Sequence, residues 1–189
     1  MQKEATGAEK SVRYMDSPIG KIGIADDGSG ISDLFFCVRD KRPDAIERST
    51  ALLKKAAAQM DEYFAGKRRT FDLPLSLSGT AFQLAVWNAL LTIPYGETRS
   101  YKDIAERIGN PKAVRAVGMA NNRNPVSIIV PCHRVIGSDG SLVGYGGGVQ
   151  MKDFLLRLER RYTLYKEMHI VDEDPNDIEG VEDVDKEIW

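Results

Sequence analysis

Pro131-Cys132-His133-Arg134 sets a thiol, an imidazole and a guanidinium on consecutive residues. A thiolate is a strong nucleophile, and a nearby imidazole promotes its formation. Neighbouring side chains of a strand point to opposite faces, so a contact between Cys132 and His133 needs a turn, which Pro131 makes available. The apolar-leaning run before it, residues 126–130, reads as a short buried strand that the proline ends. The thiol is therefore expected at the mouth of a core. A lone cysteine is more often a small buried apolar residue than a nucleophile. Arg134 and the loop Gly144-Tyr-Gly-Gly-Gly148 shift the balance towards chemistry. Glu159 follows Leu155 by four residues and borders the buried face of the last helix, where a carboxylate could orient an imidazole. The competing reading is a solvated glutamate paired with Arg160 or Arg161. Cys37, Cys132, His133 and His169 lack paired metal-ligand spacing, so neither a metal nor another cofactor is expected.

These residues need elements to hold them. Ile22 to Ile24 and residues 34–38 read as strands joined by an Asp/Gly/Ser turn at 26–30. From about 44 to 65 apolar residues fall at helical spacing, at Leu52, Leu53, Ala56, Met60, Tyr63 and Phe64, with Gly66 as the stop. Thr80 and Gln83 make a capping box for a helix running towards Ile93. Ser100 caps a second helix that turns Ile104, Ala105 and Ile108 inward. After a Gly109-Asn110 turn, Pro111 suits the first position of a third helix, Lys112 to about Asn121, which buries Ala113, Val114 and Val117. The last two form a helix-turn-helix candidate, against the alternative of an ordinary packed pair. Arg115 points outward, and few of its neighbours suit base reading, so backbone and shape contact fit better. A last helix, about 150–161, places Met151, Phe154, Leu155 and Leu158 on one face.

The chain has 189 residues, room for one large domain or two small ones. Its two cysteines are far apart, so a disulfide framework is not expected and a reduced setting is the default. With neither a signal-peptide core nor a membrane-length apolar stretch, the expected location is the cytoplasm. The net charge of −2 hides an uneven distribution. Residues 80–165 carry 11 Lys/Arg against 6 Asp/Glu, while residues 166–189 carry 2 against 10. A basic segment is followed by an acidic, apolar-poor tail expected to be disordered, and the basic segment is what bears on nucleic acid. If the tail competes with DNA for that basic face, its removal would raise DNA affinity at low salt.

IPYGETRSYKDIA, NPKAVRAVGMANNRNP, PCHRVIG and GYGGG closely resemble the O6-alkylguanine-DNA alkyltransferases, also called methylated-DNA–protein-cysteine methyltransferases. The resemblance is strong over residues 80–164 and looser over 13–75. It implies a two-domain fold of the α/β and α+β classes. Residues 1–76 would form a ribonuclease-H-like α/β domain. Residues 80–165 would form a mostly helical domain with a winged-helix-like helix-turn-helix and a short active-site strand, and 166–189 the tail. The implied function is suicide repair: a monomer binds the minor groove of double-stranded DNA and flips out an O6-alkylguanine. Cys132 then takes the alkyl group in a single turnover, without a cofactor; O4-alkylthymine is a second candidate substrate. By the same match His133 is the base, acting through a water, Glu159 orients it, and Asn124 braces the active-site turn. Tyr101 would contact the flipped base, Arg115 fill the space it leaves, and Tyr145 wall the pocket. The carbonyls of Val135 and Cys132 would accept from the guanine amine. Some relatives carry a serine hydroxyl where Gly146 stands, so only a backbone amide could serve O6 here. Asn121-Asn122-Arg123 is more polar than the usual connection. Competing readings are a lesion-binding protein that transfers nothing, an alkylation-sensing regulator and a cysteine hydrolase. The first would lack Cys132, the second should carry a base-reading helix, and the third needs an oxyanion hole and DNA-independent turnover.

Overall fold

The structure, a computed structural model, describes residues 9–37 and 45–168. The first half is a four-stranded sheet with one helix. Strands β1 (Lys10–Met15), β2 (Ile22–Asp26) and β3 (Ile31–Phe36) form an antiparallel meander. The short β4 (Ala45–Glu47) returns parallel to β1, giving the order β3-β2-β1-β4. The expected hairpin is present; β1 and β4 were not foreseen. Helix α1 (Ala51–Phe64) starts seven residues later than the spacing suggests. Thr50 sets that start, its side chain accepting from the Leu53 amide, so residues 45–47 are free to pair as an edge strand. Gly66 ends the helix with φ of +72°, and a Cβ there would collide with the Tyr162 ring.

The second half is mostly helical. Helix α2 (Ala81–Leu90) carries the Thr80/Gln83 capping box. The strand β5 (Arg99–Ser100) runs into α3 (Tyr101–Arg107), where Ser100 and Asp103 cap each other's backbone amides. Helix α4 (Val114–Asn122) begins after Pro111, not with it, because the Ala113 amide bonds the Asn110 carbonyl at 3.0 Å and closes a turn first. Ala113 and Val114 are accordingly only half-buried, while Val117 is buried. The Trp87 indole of α2 donates to the Ala120 carbonyl at 2.9 Å and locks the two helices together. A short 3-10 turn spans Cys132–Arg134, β6 (Val135–Ile136) pairs parallel with β5, and α5 (Val149–Met168) closes the chain. Of the expected tail, 166–168 continue α5, and the remainder, with His169, lies outside the described residues.

Two differences from the sequence reading bear on chemistry. Residues 126–130 are not a strand. Val126 makes one bridge to Leu34 of β3, and the chain then folds back so that Ser127 bridges Val130. Ile128, at the bend, has φ of +70°, a conformation costly for a β-branched residue. The face that α5 buries is also turned. Lys152, Leu155, Glu159 and Tyr162 point inward, and Phe154 is 36% exposed. Two charges stand where an apolar stripe was expected.

One core runs through both halves, from Ile24, Leu34 and Tyr63 to Trp87, Ile104 and Leu155. The bonds from Leu34 N to Pro125 O (2.8 Å) and from Ser127 N to Leu34 O (3.1 Å) stitch the segment before the thiol onto the sheet of the first half. No described helix is long and apolar enough to cross a membrane.

Candidate active site

Cys132 sits where the fold-back ends, its amide bonded to the Val130 carbonyl at 2.8 Å and its side chain 3% exposed. Asn124 holds both ends of that fold-back. Its Oδ1 accepts from the Val126 amide at 3.0 Å, and its Nδ2 donates to the Val130 carbonyl at 2.7 Å. A side-chain amide thus replaces the ladder that a strand would have made. Burial pushes the thiol's pKa up; hydrogen bonds from Asn124 and Ser127 and the charge of Lys152 work against that rise. Asn121 explains the polar connection noted in the sequence. It is buried, and its amide donates to the Cys132 carbonyl at 3.2 Å.

His133 is wholly buried, with Nε2 2.8 Å from Oε1 of Glu159. The carboxylate is a pure acceptor, so Nε2 carries the proton and Nδ1 keeps its lone pair. Nδ1 has no hydrogen-bond partner among the described residues. Burial drives the imidazole pKa down, and Glu159 restores only part of it, so the ring is held neutral.

Glu159 is the most heavily bonded side chain of the site. Its Oε1 accepts from His133, from Tyr63 Oη (2.8 Å) and from Arg134 Nη2 (2.9 Å). Its Oε2 accepts from Arg134 Nε (2.9 Å) and the Gly96 amide (3.0 Å). Burial alone would raise its pKa, but His133 and Arg134 outweigh burial and hold the carboxyl far below the usual range. The arginine that pairs with Glu159 is therefore Arg134, itself buried and anchored on the Ile93 carbonyl at 2.7 Å, rather than Arg160 or Arg161.

Lys152 was missed in the sequence. It lies seven residues before Glu159 and three before Leu155, which is one helical face, but a lysine there reads as solvated. Its ammonium is buried and donates to the carbonyls of Val135 and Val143. Burial brings its pKa down to about 8, against the pull of Cys132. Tyr101 Oη meets the same Val143 carbonyl at 2.8 Å, and the Lys152 ammonium lies 5.7 Å from the Tyr101 ring centroid. Together they tie the start of the glycine loop to α3 and α5. Lys152→Met keeps the stem's volume and removes the charge. We expect stability within about 1 kcal/mol of wild type, since relief of a buried cation offsets the lost bonds. The Cys132 thiol pKa should rise, read by the pH dependence of alkylation with a small electrophile; an unmoved titration contradicts the link.

Tyr145 is buried beside Phe36, ring centroids 5.9 Å apart, and Gly146 is exposed near Asn122. A Cβ on Gly147 would meet the Met151 sulfur and the Phe36 ring within 3 Å, so the loop packs there only as glycine. Arg115 is not part of this cluster. It stands exposed on the outer face of α4, one turn from Met119, which is 60% exposed. Among the described residues no group of three or more His, Cys, Asp or Glu is placed to hold a metal ion.

The buried Cys132, His133, Glu159, Val135 and Tyr145 and the half-buried Asn124 and Tyr101 therefore converge on one site, with Gly146 exposed at its edge and Arg115 outside it. The arrangement suits a nucleophilic thiol served by an oriented neutral base.

Comparison with known proteins gives the same direction. Residues 81–161 match the family model described as the DNA binding domain of 6-O-methylguanine DNA methyltransferase. Residues 11–77 match the ribonuclease-like domain of that family. The methylated-DNA–protein-cysteine methyltransferase of Methanosarcina acetivorans is 52% identical over 147 residues, 76% of this chain and 94% of that protein. The protein of that name from Mycobacterium leprae is 51% identical over 154 residues, covering 80% and 93%. The crystal structure of Mycobacterium tuberculosis OGT in complex with DNA superposes with a TM-score of 0.76 at 51% identity, covering 80% of this chain and 94% of that one. With both halves matched in order, and with relatives this similar over most of its length, the chain belongs to the 6-O-methylguanine DNA methyltransferase family.

Proposed function

We propose that the chain repairs double-stranded DNA by moving an alkyl group from O6 of guanine onto Cys132, once per molecule. The observation that carries this reading is the buried Cys132 beside a neutral His133 whose free Nδ1 is oriented by Glu159. His133 Nδ1 takes the thiol proton through a bridging water. The thiolate attacks the alkyl carbon in line, the C–O bond breaks, and its electron pair stays on O6. The guanine is released as its ordinary lactam once it regains a proton from the imidazolium. A thioether remains on Cys132, and no group of the site is placed to hydrolyse it.

The DNA enters from the α4 side. Arg115, exposed on that helix, fills the gap left by the flipped base, and the small Ala116 and Gly118 let the backbone approach the minor groove. Flipping costs a few kcal/mol and is cheapest for a weakly paired, damaged base. With Cys132 3% exposed, the base reaches its sulfur only if a wall yields, and the glycine loop at 144–148 is that wall. The carbonyls of Cys132 and Val135 are each already held by one protein donor, Asn121 and Lys152, and the second lone pair of each accepts from the guanine amine. Tyr101 and Tyr145 flank the base. O4-alkylthymine is accepted by the same chemistry, and the chain acts as a monomer in the cytoplasm.

The test is stoichiometry. With excess duplex carrying one tritium-labelled O6-methylguanine, label should pass to protein and stop at one methyl per chain. Continued turnover, or binding without transfer, contradicts the reading.

A further inference from the structure

Tyr63 belongs to α1, in the half of the chain that carries neither the thiol nor the imidazole. Its side chain is wholly buried, yet its hydroxyl does not pair locally. It crosses to the second half and donates to Oε1 of Glu159 at 2.8 Å. That is the same oxygen that accepts from His133 Nε2, also at 2.8 Å. A helix stop, Gly66, and an edge-on contact with Tyr95 at 6.1 Å between centroids fix where the ring lies.

We propose that Tyr63 is a positioning residue of the alkyl-transfer site: its hydroxyl, supplied by the ribonuclease-like half, sets the basicity of His133 through their shared acceptor on Glu159. The proposal rests on the reading of His133 as the base. A donor on Oε1 stabilises the carboxylate and draws charge density away from the bond to His133. Without it the carboxylate pulls harder on the Nε2 proton, and the imidazolium is favoured. His133 then protonates at higher pH and is unavailable as a base over a wider acid range. The other groups facing His133 and Glu159 are Arg134, Lys152, Tyr95 and Tyr145, and all four remain when the Tyr63 hydroxyl is removed.

The measurement is the pH dependence of the single-turnover transfer rate, beside the titration of the His133 ring nitrogens by NMR, in the full chain. Tyr63→Phe keeps the ring and removes only the hydroxyl. Its His133 titration and the acid limb of its rate profile should both move up by roughly half a pH unit or more. Tyr63→Leu removes the hydroxyl by another route and should move them the same way. Tyr95→Phe is the control, because the Tyr95 hydroxyl has no hydrogen-bond partner among the described residues, and it should move neither. Lower thermal stability with both readouts unmoved, or an equal shift in Tyr95→Phe, overturns the proposal. The NMR titration needs no substrate, so a wild-type chain that transfers nothing sinks the proposed function without deciding this coupling.

Discussion

Glu159→Gln should lower the rate of alkyl transfer about 10²-fold or more and destabilise the fold by about 3–5 kcal/mol. The substitution is nearly isosteric, so the effect isolates charge and hydrogen-bond polarity. Five donors converge on the carboxylate: Tyr63 Oη, His133 Nε2, two nitrogens of Arg134 and the Gly96 amide. A glutamine offers one oxygen and one NH2, so at least one pair would meet donor to donor. Arg134, 6% exposed, would keep its charge with no buried anion to balance it. His133 would lose the acceptor that fixes its tautomer. Urea unfolding and single-turnover kinetics read the two effects. A loss of under 1 kcal/mol with normal transfer would show that the carboxylate does not organise the site. The same group sets a pH dependence. The pKa values of His133 and Glu159 are both depressed by folding, so the unfolded chain binds more protons. Their contribution is fully present above the unfolded values, about 6.5 and 4.3, starts to fall below them and is lost as pH drops through the lower folded values. Stability should therefore drop in acid, and by less in Glu159→Gln.

Asn124→Ala is the second large effect. We expect a loss of about 1–3 kcal/mol, from the stranding of the Val126 amide inside the core; the Val130 carbonyl loses one of its two donors and keeps the Cys132 amide. The transfer rate should fall more than tenfold. Asn124 is what holds the bend at Ile128 against its positive φ, and releasing the bend lets the segment drift towards ordinary strand geometry. The thiol rides on the end of that segment and would lose both its position and a hydrogen bond that favours its thiolate. Asn124→Asp restores the acceptor for Val126 but not the donor for Val130, and should fall between. Normal kinetics in Asn124→Ala would mean that the thiol is placed by the 3-10 turn alone.

The parts legible in the sequence were those where local chemistry and global fold agree. The capping box at Thr80 and the N-cap at Ser100 mark helices that are there, because satisfying a helix end needs only residues within one turn. PCHR marked Cys132 and the adjacent His133, which the structure buries and pairs with Glu159. The strand read into 126–130 failed because Asn124 outcompetes the ladder, and a side chain that takes over backbone bonds leaves no trace in hydropathy. The face of α5 was misread for a related reason. Apolar spacing assigns Lys152 and Glu159 to water, and only partners brought from Val135, Val143, Arg134 and Tyr63 let them be buried. β4 has three residues and pairs on one side only, too little pattern to separate it from the start of α1.

The measurement that bears most directly on this protein is the intact mass of the chain after mixing with duplex DNA carrying one O6-methylguanine, followed by peptide mapping. One added methyl, saturating at one per chain, located on Cys132 and absent in Cys132→Ala, is the expected result. Cys37, the other free cysteine, should stay unmodified in the same spectra. A methyl on any other residue, or no mass change while the lesion is bound, would contradict transfer to Cys132.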